Sequence, residues 1–433
     1  MAKKSTTSRT GRFLKLAGMT VSVAGRYASG KVQRAFTNEE LAEESKQRTY
    51  SKMAEDIVDT LGELKGAVMK VGQIASQTQD LLPKEFSQAL QKLQKEAPPI
   101  EFSVIQAQIE QELGQTPWEA FKSFDVVPFA AASIGQVHRA VTKSGIPVIV
   151  KIQYPGVDKS VDSDLKQLRL TLKLGGLIKM PKASADALFE EIKARLKEEL
   201  DYEQEAKNLR QFRQFHENHE GILIPKVINR LSTKRVLTLE YLEGDDLDAV
   251  KLNGYDQQTI NLLGQRLFTM MSFQLFQFNK IHGDPHPGNF AFRKDGTLVV
   301  YDFGCVKTLK PEIVTAYGDA IRSSIEEDYE GVDDALLRLG ARVNAKSSPG
   351  GEYYKIWRDI FFEPFSNIEN YDYESSDVHV RAAKQTPLFF KHIDYFKPPV
   401  DSLYIDRMIS GQYWIMKSLG VKANFRPHLD EYI

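Results

Sequence analysis

The chain has 433 residues, enough to bury two sizeable cores, and its 42% hydrophobic and 27% charged residues are ordinary for a soluble globular protein. The single cysteine, Cys305, excludes an internal disulfide framework and a cysteine-rich zinc site. The net charge of -1 conceals an asymmetry along the chain. We therefore expect two lobes and an uneven distribution of charge.

The first 35 residues are basic. They contain eight lysines and arginines and no acid, so segment 1–35 carries +8 and the remainder carries -9. This charge favours an anionic partner. No apolar run of the chain reaches the roughly 20 residues that span a bilayer, so we expect no transmembrane helix. A membrane-surface segment, an organellar presequence and a disordered tail all remain open for these residues.

Residues 36–118 are predicted to form a helical extension, because apolar residues recur there at spacings of three and four. Lys70 and Gln73 share one helix face. Gly66 and Gly72 each cost a helix about 1 kcal/mol relative to alanine, which suggests close packing against another element. A charged helix face with two tolerated glycines explains the same residues without any special role.

Residues 119–242 are predicted to form a lobe that begins with a hairpin, a small-residue turn and a strand ending in Lys151. That order is how the N-terminal lobe of a kinase begins. The turn has alanines where glycines are expected, and alanine tolerates left-handed backbone poorly. We expect this alanine-rich loop to cover the phosphates of a nucleotide. Its residues are Ala130, Ala131, Ala132, Ser133, Ile134, Gly135 and Gln136.

An acid in the helical segment 158–217 is expected to hold Lys151 against the α- and β-phosphates. Glu199 is the candidate for that role. Asp201 and Glu205 lie four residues apart, on a face turned away from Glu199, so we expect them to meet something other than Lys151.

The last strand of this lobe runs into the sequence Glu243-Gly244-Asp245-Asp246, which breaks the sheet. A strand leaving the lobe into such a break forms a hinge whose main chain can pair with adenine. We assign these contacts to Glu240 and Leu242.

The most informative motif is His282-Gly283-Asp284-Pro285-His286-Pro287-Gly288-Asn289, which is followed by a hairpin and Asp302-Phe303-Gly304. Kinase-type phosphoryl transfer uses an Asp, an Asn five residues later and the Asp of Asp-Phe-Gly. We expect Asp284 to accept or orient the proton of the acceptor. Asn289 and Asp302 supply the oxygen ligands that magnesium prefers. The motif lies in a predicted C-terminal lobe, residues 243–433, that is mostly helical.

His282 and His286 have a spacing seen among metal ligands, but no glutamate motif accompanies them. We therefore expect them to take part in loop packing or hydrogen bonding.

These motifs resemble those of the UbiB/AarF family of atypical protein-kinase-like proteins, over about residues 63–307. The resemblance rests on five blocks: Lys70-Val71-Gly72-Gln73, Ala130 to His138, Val148 to Gly156, Glu199-Leu200-Asp201-Tyr202 and His282 to Asn289. It implies an α+β, protein-kinase-like two-lobed fold whose N-terminal helical extension packs over the active site.

The resemblance also implies regulatory roles, in which Lys70 and Gln73 point into the pocket and the face of Asp201 and Glu205 receives them. It further implies binding of ATP or ADP with magnesium, and support of isoprenoid-quinone biosynthesis or lipid handling at a membrane. Expected partners are anionic or isoprenoid lipid and a quinone-biosynthesis complex, with no nucleic acid. The expected location is cytoplasmic or organellar with peripheral membrane association.

Two other functions remain open. A small-molecule phosphotransferase of the aminoglycoside or choline kinase type also uses a His-Gly-Asp-x-His-x-x-Asn loop, although the alanine-rich loop and the Lys-x-Gly-Gln helix argue against it. A nucleotide-sensing scaffold would keep the same ligands without transferring phosphate. The intact site residues, together with the family resemblance, favour an atypical kinase or ATPase.

Overall fold

The computed structural model describes residues 9–34, 39–64, 100–131, 134–178, 182–344, 347–366, 370–397 and 402–433. The chain forms two compact units. The first unit comprises the residues up to Ala206 together with Val227–Tyr241, and the second comprises Lys207–Lys226 and Leu242–Ile433.

The first unit contains an antiparallel sheet and several helices. Its helices are α1 (Arg9–Arg34), α2 (Glu39–Leu64), α3 (Phe102–Leu113), α4 (Pro117–Ala120), α5 (Val157–Leu174), α6 (Lys182–Glu199) and the start of α7 (Tyr202–Phe215). Its strands are β1 (Phe121–Phe124), β2 (Ala130–Ala131), β3 (Gly135–Thr142), β4 (Pro147–Gln153) and a strand numbered β6 (Val236–Glu240).

The sheet has the order β1-β3-β4-β6, and β2 pairs with β3. Alternate residues of β4 point into the core, as expected for a strand with one buried face. Val148, Val150 and Ile152 are almost completely buried. Lys151 lies between them in sequence, opposite Val137 of β3 and Leu237 of β6.

The basic N-terminal segment is helical where the structure describes it, from Arg9 to Arg34, which argues against the disordered alternative for these residues. Leu16, Met19 and Val23 recur at helical spacing and are buried in the first unit. Thr20 Oγ1 lies 2.6 Å from Thr171 Oγ1 of α5. The inner apolar face of α1 is therefore used by the fold itself.

The second unit is mostly helical. Its helices after α7 are α8 (Leu247–Leu252), α9 (Gln257–Phe276), α10 (Pro311–Ile325), α11 (Tyr329–Arg338), α12 (Gly351–Phe361), α13 (Glu363–Ser366), α14 (Val378–Lys384), α15 (Thr386–Lys391), α16 (Leu403–Leu419) and α17 (Arg426–Asp430). Its strands are β5 (Ile222–Leu223), β7 (Lys280–His282), β8 (Phe290–Phe292), β9 (Leu298–Val300), β10 (Val306–Thr308), β11 (Tyr371–Asp372) and β12 (Lys422–Ala423).

Helix α9 is the buried helix of this unit, as its apolar composition predicts. The Asp256 side chain caps its first turn by accepting a hydrogen bond from the backbone N–H of Thr259 over 2.7 Å. Leu263, Leu267 and Met271 are almost fully buried. After α9 the chain enters β7, which pairs antiparallel with β10 and so brings His282 opposite Val306.

Strands β5, β9 and β8 form a separate small sheet, in which β8 and β9 are the predicted hairpin. Among the helices that the structure describes, none combines the length and apolarity needed to cross a membrane.

Candidate active site

Lys151 is held by a buried acid in the first unit. Its Nζ lies 2.6 Å from Oε1 of Glu205, and the two side chains are 16% and 3% exposed. The ammonium also lies 5.5 Å from the centre of the Tyr202 ring, within the range of a cation–π contact. The strand lysine and its partner acid are therefore a pre-organised pair.

The acid bonded to Lys151 is Glu205, and the assignment of this role to Glu199 was wrong. Glu199 is the last residue of α6, and the helix does not continue through it into α7. This break resets the helical phase, so Glu205 shares the buried face of the first turn of α7 with Tyr202. The sequence predicted a single uninterrupted helix here, and such a helix would turn Glu205 away from Lys151.

Asp201 lies at the break between these helices. Its Oδ1 accepts a hydrogen bond of 2.9 Å from the N–H of Gln204, and its carbonyl accepts one from Glu205. Asp201 thus caps α7 and fixes the turn that carries Glu205. The regulatory partners expected for this face, Lys70 and Gln73, lie outside the described residues.

The described part of the alanine-rich loop begins as β2. Ala130 pairs with Val137 and Ala131 with Gln136, while Ala132 and Ser133 lie outside the described residues. Gly135 leaves no room for a side chain, because a Cβ there would lie 2.2 Å from the carbonyl oxygen of Ile152.

The end of this loop is anchored by polar contacts inside the first unit. Ile134 is buried, and its carbonyl accepts a hydrogen bond from the N–H of Tyr154. The buried Gln136 accepts a bond of 3.1 Å from the N–H of Ile100, and its Nε2 lies 3.0 Å from His138. Burial lowers the pKa of His138. The side chain of Gln136 therefore anchors the end of the loop, and the nucleotide contact assigned to Gln136 stays a prediction.

The hinge region begins where β6 ends at Glu240, which pairs with Val148. The N–H of Tyr241 donates to Pro147, and its hydroxyl accepts a bond of 3.1 Å from Arg139. The same guanidinium lies 4.1 Å from the ring centre of Phe129, just before the alanine-rich loop. Arg139 thus connects the end of β6 to the start of that loop, a contact that the sequence does not reveal.

Leu242 is the first residue of this segment that belongs to the second unit. Its carbonyl accepts a hydrogen bond of 2.7 Å from the hydroxyl of Tyr301, the residue before Asp302. Because one lone pair of that carbonyl is engaged, the adenine contact assigned to Leu242 stays a prediction that depends on its remaining main-chain groups.

His282 joins the two motifs of the second unit. It is buried, its Nε2 donates to the carbonyl of Asp302, and its Nδ1 accepts from the N–H of Asp284 at 3.3 Å. Burial lowers the pKa of His282, so the neutral ring is favoured. His282 therefore acts through hydrogen bonding, as expected. His286 does likewise, because its Nδ1 accepts from the N–H of Gly288.

Asp284 and Asn289 are bonded to each other within the loop. Asn289 Nδ2 donates to the Asp284 carbonyl at 2.8 Å and approaches its Oδ2 at 3.3 Å. The amide nitrogen is thus used by the loop, and the amide oxygen is the atom suited to bind a metal ion. The backbone of Asn289 is fixed as well, because its carbonyl accepts from Tyr301.

Asp302 lies in a tight turn that Phe303 anchors. Its Oδ1 accepts a bond of 2.9 Å from the N–H of Gly304. The fully buried Phe303 ring lies 4.8 Å from the ring of Phe212, and its carbonyl accepts from Asn208. The anchors Phe212 and Asn208 were not predicted, because nothing near Asp302 in the sequence points to them.

The donor set fits magnesium. One carboxylate, one amide oxygen and the phosphates of a substrate are a usual ligand set for this ion. Within the described ranges, no group of three or more His, Cys, Asp or Glu residues could hold a metal ion by itself. Asn289 and Asp302 would thus hold magnesium together with a phosphate-bearing ligand.

Asp284 has a further partner that the sequence gave no reason to expect. Arg407 of α16 donates to its Oδ1 over 2.7 Å, although 123 residues separate the two. No local motif marks Arg407, because its position beside the loop depends on how α16 packs.

Comparison with known proteins identifies the family of this chain. Residues 92–336 match the ABC1 atypical kinase-like domain. The chain belongs to this family, which is the UbiB family of atypical kinases. The resemblance inferred from the motifs is thereby confirmed.

Members of the ABC1 family from distant organisms are similar to the chain. A probable serine/threonine-protein kinase, abkA, from Dictyostelium discoideum is 29% identical over 97% of the chain and 78% of its own length. The mitochondrial atypical kinase coq-8 from Caenorhabditis elegans is 30% identical over 84% of the chain. The chain spans only about half, 49%, of that nematode protein.

A solved structure of another protein has a fold similar to that of this chain. The Rv3197–erythromycin complex from Mycobacterium tuberculosis has 28% sequence identity and a TM-score of 0.62, and the match covers 90% of this chain and 98% of that one. The predicted α+β, kinase-like fold is confirmed.

Proposed function

We propose that this protein binds Mg-ATP or Mg-ADP and acts as an atypical kinase or ATPase that supports isoprenoid-quinone biosynthesis or lipid handling at a membrane. The observation that carries the proposal is a hydrogen-bond network in the second unit. In this network His282 donates to the carbonyl of Asp302 and accepts from Asp284, and Asn289 donates to Asp284. Its members have the chemistry of a catalytic base and two magnesium ligands.

The first unit supports the same chemistry. Lys151 is a cation on a rigid central strand, and Glu205 holds it in place. In kinases this pair binds the α- and β-phosphates. The link to quinone biosynthesis rests on the relatives, one of which is named as a mitochondrial atypical kinase, coq-8.

The first experiment measures binding and hydrolysis of ATP by the purified chain, with and without magnesium. Asp302→Asn is expected to weaken magnesium-dependent nucleotide binding by more than about tenfold, equivalent to about 1.4 kcal/mol. Asp334→Asn is the matched control, because Asp334 lies on α11 in an exposed ion pair with Arg338. Unchanged binding by Asp302→Asn would contradict the proposed metal site.

Turnover separates the enzyme from the nucleotide-sensing scaffold. Phosphate release in a single turnover, stimulated by anionic liposomes, is expected of the enzyme. Nucleotide binding without phosphate release would favour the scaffold.

The membrane part of the proposal concerns the outer face of α1. Leu14 and Val21 lie seven residues apart and are 64% and 73% exposed. Deleting α1 would uncover the core beneath it, so substitution is the cleaner test. The double change Leu14→Ser and Val21→Ser is expected to reduce sedimentation with anionic liposomes while retaining nucleotide binding, and full sedimentation would place the lipid contact elsewhere.

A further inference from the structure

The candidate base, Asp284, is paired with a cation from a distant helix. Arg407 and Asp284 form an ion pair at 2.7 Å, and their side chains are 28% and 29% exposed. Each is thus shielded enough for the contact to have a defined geometry and open enough to meet a substrate.

The helix that carries Arg407 is closely fitted to the catalytic loop. Residues 404, 407 and 411 follow helical spacing and share one face of α16. Tyr404 lies 4.7 Å from Nζ of Lys307, in the strand paired with β7. At Gly411 a Cβ would lie 2.2 Å from the ring of Pro285, so the proline next to Asp284 occupies the space of the missing side chain.

The neighbouring positions of α16 fix the helix in the core. Ile405, Met408 and Ile415 are almost fully buried. Arg407 therefore extends from a rigid support, and its position does not depend on a mobile surface loop.

The loop itself offers Asp284 no cation, because Pro285-His286-Pro287-Gly288 separates it from Asn289 without a lysine or arginine. Arg407 binds Oδ1, and Asn289 approaches Oδ2. The two contacts together fix the plane of the carboxylate. Phosphoryl transfer depends mainly on positioning and charge compensation, so this plane matters for the acceptor.

We propose that Arg407 is a positioning residue that orients the Asp284 carboxylate toward a hydroxyl or water acceptor. The inference rests on the proposed function. In that reaction the acceptor oxygen bonds to the γ-phosphorus of ATP, and the bond from this phosphorus to the β–γ bridging oxygen breaks, with its electron pair leaving on ADP. The acceptor proton goes to Asp284.

The test compares Arg407→Lys, Arg407→Gln and a control, Arg426→Gln, in the full-length chain. Arg426 belongs to an exposed ion pair with Asp430 on α17, so the control removes an arginine from the same unit. Arg407→Gln is expected to lower kcat for ATP turnover by about 10- to 100-fold while KM for ATP changes less than about twofold. Arg407→Lys is expected to recover part of the loss, because it restores the charge. A mainly structural role would instead lower the melting temperature and leave kcat per folded molecule unchanged, and that result would overturn the inference.

A second readout does not depend on turnover. Labelling of carboxylates with a water-soluble carbodiimide and peptide mapping is expected to show faster modification of Asp284 in Arg407→Gln than in the unmodified chain or Arg426→Gln. Equal labelling would overturn the inference. Absence of ATP turnover in the unmodified protein would contradict the proposed function, whereas the labelling would still report on the ion pair.

Discussion

Each of the two units contains an ion pair between an acid and a cation, and the two pairs differ in burial and in which partner is expected to react. In the first unit the expected reacting group is Lys151, and its acid, Glu205, is only 3% exposed. In the second unit the expected reacting group is Asp284, and both it and Arg407 are more than a quarter exposed. The first pair is almost buried, whereas the second is partly exposed to solvent.

This difference in burial predicts which property of the protein each ion pair affects. Removing one partner of a buried ion pair is strongly destabilising, because a charge loses its compensation where water cannot replace it. A partly exposed ion pair, such as that of Asp284 and Arg407, contributes little to stability, because solvent screens its charges. The first pair should therefore affect folding as well as binding, and the second chiefly the rate.

The largest expected effect is on stability. Lys151→Met keeps the apolar stem but removes the charge beside Glu205, and we expect a loss of about 3 kcal/mol in the free energy of unfolding. Arg407→Met is the matched change in the second unit, with an expected loss below about 1 kcal/mol. Urea unfolding followed by a probe in each unit measures both, and equal losses would contradict the contrast.

The second prediction tests the assignment of the acid. Glu205→Gln is expected to weaken nucleotide binding about tenfold, because the Lys151 ammonium loses the charge that holds it. Glu199→Gln, the same change at the end of α6, should alter affinity less than about twofold. Titration calorimetry distinguishes them, and the reverse order would restore the assignment made from the sequence.

We expect low pH to destabilise the second unit through protonation of His216. Burial, and then the neighbouring His219, lower the pKa of His216 to about 3 from 6.5. Its Nε2 faces Gln274, whose amide oxygen accepts from the N–H of His282. Because the pKa of His216 is lower in the folded than in the unfolded state, the neutral ring contributes its full stability above about pH 6.5. The free energy of unfolding then decreases as the pH falls toward 3, by up to about 1.4 kcal/mol per pH unit.

His216→Gln should flatten this slope between pH 7 and pH 5 in urea unfolding of the second unit. His379→Gln is the control, since His379 is only partly buried, on α14. An unchanged slope for His216→Gln would show that another group carries the acid sensitivity.

The smallest expected effect concerns the cap of α7. Asp201→Ala should cost about 1 kcal/mol, whereas Asp201→Asn should keep most of the stability, because asparagine also accepts the bond from Gln204. Thermal unfolding measures both variants. Equal losses for the two would mean that the charge of Asp201, rather than its cap, supports the turn before Glu205.

The elements of the site could be predicted where a short motif specifies both a strand or loop and its chemistry. Lys151 was proposed because hairpin and strand signals precede it, and Asp284, Asn289 and Asp302 because their spacing is that of a phosphoryl-transfer site, and their roles stay predictions. The hydrogen-bonding role of His282 was also inferred correctly. Each inference needed only local sequence and a known spacing.

The partners of these residues could not be predicted in the same way. Glu205 was assigned to the wrong face because the break of the helix at Leu200 and Asp201 leaves only a weak signal in an acidic helical segment. Arg407 and Asn208 meet the site from far along the chain, and no local pattern records such contacts. The burial of Leu16, Met19 and Val23 of α1 was not predicted, because basic residues surround them in the sequence.

The sequence by itself determined the α+β fold class and the family, and it predicted the reacting groups, because binary patterning, turn residues and motif spacing act over short distances. Only the tertiary structure decided which acid holds Lys151, which cation holds Asp284 and where the apolar face of α1 lies. These choices depend on helix phase and on packing between distant segments, where a break of two residues between helices or a glycine such as Gly411 changes which side chains meet.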